Sequence, residues 1–146
     1  MDDQIFMQAA LEQARRGRDE GNIPAGAVLV KDGVIISRGH HRRMLRDGSV
    51  MHATADCLHN AGQPGDTGHC TLYTTLSPCG SCSAAILRSG IARVVVGDQT
   101  NVSGSTTQLQ AYGVEVTMLN DPQCIALMQQ FMVDQPGRWQ QESASA

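Results

Sequence analysis

Two cysteines three residues apart, Cys79 and Cys82, directly follow Pro78, and a histidine, His52, stands upstream of them. Thiolates and imidazole are preferred zinc ligands, and a tetrahedral site with only three protein donors keeps its fourth corner for water. A site of that kind does hydrolysis, because the metal makes water a nucleophile near neutral pH. A redox dithiol or metal-free packing of the two thiols is the alternative. Redox pairs accompany a thioredoxin-like pattern and use the pair alone, whereas this pair has a histidine to complete a ligand set. A closed structural zinc would need a second C-x-x-C or an H-x-x-x-H pair, and the sequence contains neither.

These ligands need elements to carry them. The β-rich run from Cys70 to Thr75 reads as a strand that ends at Ser77-Pro78, and the helix formers from Cys79 to Arg88, closed by Gly90, read as a helix. Both thiols then lie near one face at its start. A second helix from about Met51 to Ala61, closed by Gly62, places His52 in its first turn. Upstream, Asp3 is positioned to cap a helix with apolar residues at Ile5, Phe6, Ala9, Ala10 and Ala14, ending near Gly17 or Gly21. Ala25 to Val30 and Val34 to Ser37 flank Lys31-Asp32-Gly33, a hairpin signal. The polar stretch from Gly39 to Ser49, ending in Asp47-Gly48, reads as a loop, as do Pro64 to Gly68 and Asn101 to Gln110, the last with a short helical turn. Arg93 to Gly97 and Val114 to Leu119 read as strands, and Asp121 to Val133 as a helix with Pro122 at its first position. Alternating strands and helices after a hairpin predict a mixed sheet with helices on both faces, its inner strands parallel and the hairpin strand antiparallel. Ser143 to Ala146 reads as a frayed end.

The chain has 146 residues and 41% hydrophobic content, enough for one core, so one domain over 1–146 is expected. Eleven basic against fourteen acidic residues give a net charge of −3, the wrong sign for tracking phosphate backbones. Aromatic residues make up 3%, too few for a base-stacking platform. Arg38, Arg42, Arg43 and Arg46 cluster locally and read as a solvated loop. No nucleic-acid partner is expected. Cys57, Cys70 and Cys124 stand among apolar neighbours and pack as small hydrophobes, which suits a reducing cytoplasm. The acidic Met1-Asp2-Asp3 start resembles no signal peptide, and no apolar run approaches membrane-spanning length, so neither export nor a membrane is expected.

His52 followed by Pro78-Cys79-Gly80-Ser81-Cys82 resembles the zinc-dependent nucleobase deaminase superfamily, whose signature is H-x-E and then P-C-x-x-C. Thr71 to Cys79 is similar to the corresponding stretch of fungal-type cytosine deaminases. Ile23 to Ala27, Gly39-His40, Gly90-Ile91, Val95 to Gly97 and the run from Phe131 to Trp139 match in the same order. The resemblance implies a cytidine deaminase-like α/β fold, a three-layer α/β/α sandwich on a mixed five-stranded sheet. It also implies one zinc per chain on His52, Cys79 and Cys82, and a homodimer. A small heterocyclic substrate would be oriented by backbone near Ala53 and Cys79 and by Ser77 and Trp139. The segment from about 137 to 146 would cap the site.

The pattern breaks at the glutamate that should carry protons, because the chain reads His52-Ala53-Thr54. A threonine hydroxyl hydrogen-bonds, but its pKa is far too high to shuttle protons between water and a leaving amine. The family's carbonyl-recognising asparagine is replaced by His41. Its acidic residue near the C-terminus maps onto Glu142 or, with a slip of one, Gln141, and Val102 stands nearest to its loop aromatic. Three explanations stay open. Asp56, one turn beyond His52, or His41 or Glu142 supplies the relay; the substrate is a cyclic amidine or guanidine with its own basic nitrogen; or the chain is a zinc-binding relative without turnover. The expectation is a hydrolase that releases ammonia from the exocyclic amino or imino group of a small ring, in nucleobase metabolism, acting on cytosine poorly if at all. A ligand-binding homologue and, more remotely, a tRNA deaminase are the rivals.

Overall fold

A computed structural model describes residues 2–43, 50–62, 65, 67–102 and 104–143, with side chains as far as 139. Arg46, the Asp47-Gly48 turn, Pro64 and 144–146 lie outside the described residues, as do the side chains of Gln141 and Glu142.

The first helix, α1, spans Asp3–Asp19. Its cap is Asp2 rather than Asp3: the Asp2 carboxylate accepts from the amides of Gln4 and Ile5 at 3.2 and 3.4 Å. Asp3 is therefore available for a tertiary contact. It accepts two bonds from Arg93, at 3.0 and 2.8 Å, and one from the Tyr73 hydroxyl at 2.7 Å. The Arg93 bonds hold the Asp3 carboxyl below its ordinary pKa, while burial, followed by the bond to Asp3, pushes the Tyr73 phenol up. A depressed carboxyl pKa gives stability that is present above the unfolded value of about 4 and lost as pH falls through the folded one. Asp3→Asn should therefore cost about 1–2 kcal/mol at pH 7. Denaturant melts at pH 7 and pH 3 check this, and the gap between variant and parent should close at the acidic end.

Strands β1 (Gly26–Lys31) and β2 (Val34–His40) form the expected hairpin. Asp32 and Gly33 take φ of 51° and 78°, the two left-handed residues a tight antiparallel turn requires. The polar stretch that follows is not all loop, since β3 (Arg42–Arg43) pairs antiparallel with β4 (Val50–Met51). Next come α2 (Ala53–Ala61), β5 (Cys70–Leu76), α3 (Gly80–Ser89) and β6 (Arg93–Asp98). The chain continues through α4 (Thr106–Ala111), β7 (Glu115–Met118), α5 (Pro122–Asp134) and α6 (Pro136–Ser143).

The five-stranded sheet has the order β2-β1-β5-β6-β7. Strands β5, β6 and β7 run parallel, and β1 runs antiparallel to both of its neighbours. Successive strand residues point to opposite faces, and β1 shows it directly. Val28 and Val30 pack with Met7, Ala10 and Leu11 of α1, while Ala27 and Leu29 pack with Ala53 and Cys57 of α2 and Ile86 of α3. The result is a three-layer α/β/α sandwich. Helix α5 belongs to both cores, with Cys124 on the α1 side and Met128 and Phe131 on the other. It hands the chain to α6, whose Trp139 packs against the second core. Gly39 fixes the approach of α2 to the sheet, because a Cβ there would lie inside contact distance of the Cys57 amide and the Ala53 carbonyl.

Candidate metal centre

His52 and Cys79 occupy equivalent places: each is the N-cap of its helix, with extended backbone and no side-chain capping bond. His52 thus precedes the first turn of α2 rather than lying within it. Their carbonyls accept the first helical bonds, from Asp56 and Ser83, each at 2.9 Å. Both side chains are left to reach outward from the ends of α2 and α3, and Cys82 joins them from the first turn of α3. His52 Nδ1 lies 3.3 Å from Cys82 Sγ and 3.4 Å from Cys79 Sγ. All three donor atoms fall within 4.8 Å of one another. Bonds of about 2.1–2.3 Å in a tetrahedral zinc site put neighbouring donors roughly 3.5 Å apart, so the spacing fits that ion. Among the described residues no fourth His, Cys, Asp or Glu joins the group.

The electrostatics agree. Hydrogen bonds from the Cys82 thiol and then from His52 hold Cys79 far below an ordinary thiol, while the contact with Cys79 and then burial push Cys82 up. The bond to Cys79 raises His52. Metal ligation takes both sulfurs as thiolates, a form that the positive ends of the two helices favour.

The three donors line one end of a cavity of about 370 Å³. Of the residues predicted for the site whose side chains are described, all but Asp56 border this cavity. Thr54 is 3% exposed and borders the cavity along with Cys82. His41 is buried in the wall with its ring stacked on His52, 5.7 Å between centroids and 19° from parallel. Ala53 and Ser77 are buried beside the donors, and half-buried Trp139 of α6 also borders the cavity. Val102 borders the cavity from the segment after β6. The backbone of Glu142 belongs to α6.

Asp56 must be corrected. Its buried carboxylate accepts from the His40 amide at 3.1 Å and from Arg42 Nε at 2.8 Å, and it does not border the cavity. Its work is to tie α2 to the end of β2 and to β3, so it is no proton relay. The same ion pair takes Arg42 out of the solvated basic cluster.

Sequence reasoning also missed the loop after β6. Asp98, with no exposed surface, accepts from the amides of Thr100 and Asn101 at 2.8 and 3.1 Å and folds this loop over Ser77-Pro78. Gly104, at φ +66°, lies so close to the Ser77 hydroxyl and the Pro78 carbonyl that a Cβ would collide with both. The loop brings Asn101 to the cavity. An Asp followed three residues later by Asn at a strand end is an Asx-turn signal, and it could have been read.

Comparison with known proteins finds deaminases. The family profile of the cytidine and deoxycytidylate deaminase zinc-binding region matches residues 1–98. The cytosine deaminase of Candida albicans is 41% identical over 144 residues, 97% of this chain and 96% of its own. A tRNA-specific adenosine deaminase of Bacillus subtilis is 36% identical over 98 residues, covering 65% of this chain and 61% of that protein. Among solved structures, a diaminohydroxyphosphoribosylaminopyrimidine deaminase/5-amino-6-(5-phosphoribosylamino)uracil reductase of Thermotoga maritima superposes with a TM-score of 0.72 at 32% identity. That match covers 91% of this chain but only 42% of the Thermotoga one.

Proposed function

Since this chain belongs to the cytidine and deoxycytidylate deaminase zinc-binding family, we propose that it deaminates a small nitrogen heterocycle other than cytosine, or cytosine only poorly. The carrying observation is the convergence of His52, Cys79 and Cys82 at one end of a small cavity whose wall bears His41 and Thr54 in place of the usual asparagine and glutamate. Zinc bound by those three residues supplies Lewis-acid activation of the attacking water. The net change is water in and ammonia out at the ring carbon, which exchanges its exocyclic nitrogen for oxygen.

The chain's own residues divide the remaining work. Backbone at Ala53 and Cys79 and the buried Ser77 orient the ring, and Trp139 excludes water from the side that α6 covers. Thr54 borders the cavity, but its hydroxyl has too high a pKa to carry protons. That leaves His41 as the one titratable side chain, among the described residues bordering the cavity, that is not a metal ligand. Its imidazole moves the proton from water to the departing amine. A substrate with a basic ring nitrogen, a cyclic amidine or guanidine, would lighten that task.

Ammonia release by the zinc-loaded protein across cyclic amidines and guanidines, cytosine and creatinine among them, tests the reading. His41→Gln should lower kcat on the best substrate by about 10²–10⁴-fold. Zinc-loaded protein silent on every compound would favour the second reading, a ligand-binding homologue, which the loss of the glutamate supports. Salt-sensitive binding of short oligoribonucleotides would instead point to an RNA substrate.

A further inference from the structure

The Asn101 side chain is held in one orientation by groups outside the cavity. Its Nδ2 donates to Asp98 Oδ2 at 2.7 Å and to the Ile125 carbonyl at 3.2 Å. A primary amide has two N–H donors, so both are spent. Turning the amide over would set its oxygen against a carboxylate and a carbonyl, and Asp98 is fully buried and already fixed by two backbone amides. The carbonyl oxygen Oδ1 is therefore a pinned acceptor, with no donor directed at it among the described residues, on a residue that borders the cavity. Neighbouring Val102 is apolar and offers a ligand no competing donor there.

We propose that Asn101 Oδ1 selects heterocycles that present an N–H or amino donor on the edge facing it, in addition to the amino group that is lost. This rests on the deaminase reading above and narrows its substrate class to rings with a second nitrogen donor. Methyl and amino groups have nearly the same size, so matched pairs isolate the hydrogen bond. Suitable pairs are 2,4-diaminopyrimidine against 4-amino-2-methylpyrimidine, and 2,6-diaminopurine against 6-amino-2-methylpurine.

Dissociation constants by calorimetry on the zinc-loaded protein should favour the diamino member of at least one pair by about tenfold. Asn101→Ala should bring that ratio close to one. Asp98→Asn supplies a donor to Oδ1, allows the Asn101 amide to turn over, and should erase or invert the preference while backbone contacts hold the loop. Equal affinities within both pairs for the unaltered protein would overturn the proposal whatever the variants do. So would a preference that survives both substitutions. Ammonia release with selectivity independent of Asn101 would sink this inference alone. Failure of every probe to bind or react would sink the deaminase reading along with it.

Discussion

Replacing Cys79 or Cys82 with serine is expected to leave the chain without stoichiometric zinc and without measurable ammonia release. Each substitution removes one of the three donors that converge on the site. Because a ligand that binds only the folded state stabilises it by mass action, zinc at a thousandfold excess over its dissociation constant is worth about 4 kcal/mol. For a chain of this size that is roughly 10 °C in melting temperature. The parent should therefore melt about that much lower after chelation, and the serine variants should melt near the chelated parent and gain nothing from added zinc. Metal analysis by mass spectrometry together with scanning calorimetry decides it. Full zinc content in either variant would remove that cysteine from the ligand set.

Thr54→Glu should have the opposite sign. The side chain at this position borders the cavity beside Cys82, so the added length of glutamate has space to extend toward the ring. It restores a carboxylate whose pKa suits proton transfer between water and a leaving amine. General acid-base groups contribute about 10²–10⁴-fold, so kcat/KM for cytosine should rise by about that range, with most of the gain in kcat. The KM should remain high, because the cavity wall still presents the buried His41 imidazole rather than an amide to the ring. Unchanged cytosine turnover in a variant that retains zinc would show that the ring does not reach the metal, and that the wall rather than the relay sets the limit.

What could be read from the sequence follows how local each determinant is. Gly62, Gly90, Pro122 and the Asp32-Gly33 turn mark ends of elements by their own backbone chemistry, and those ends lie where expected. The three metal donors were legible because residue type and spacing alone restrict them. Asp56 was not. The four-residue neighbour rule holds for side chains on the helical cylinder, but His52 is the cap and its side chain leaves before the cylinder begins. Position 56 consequently faces the His40 amide and Arg42, partners that only the tertiary fold supplies. The pairing of Arg42–Arg43 with Val50–Met51 is likewise non-local, and two-residue segments are too short to carry a strand pattern. Asp2 and Asp3 were interchangeable as caps in one dimension. Arg93 and Tyr73, waiting on the sheet, assign Asp3 to them and leave the cap to Asp2. Asn101 follows the same logic, since its amide orientation is set by a buried carboxylate and by a carbonyl of α5.

The segment around His41 is anchored at three successive residues: the His40 amide to Asp56, the His41 amide to the Ala25 carbonyl at 2.9 Å, and the Arg42 guanidinium to Asp56 again. These anchors oppose displacement of the His41 backbone, so shortening that side chain is the more direct way to enlarge the cavity for a bulkier guest.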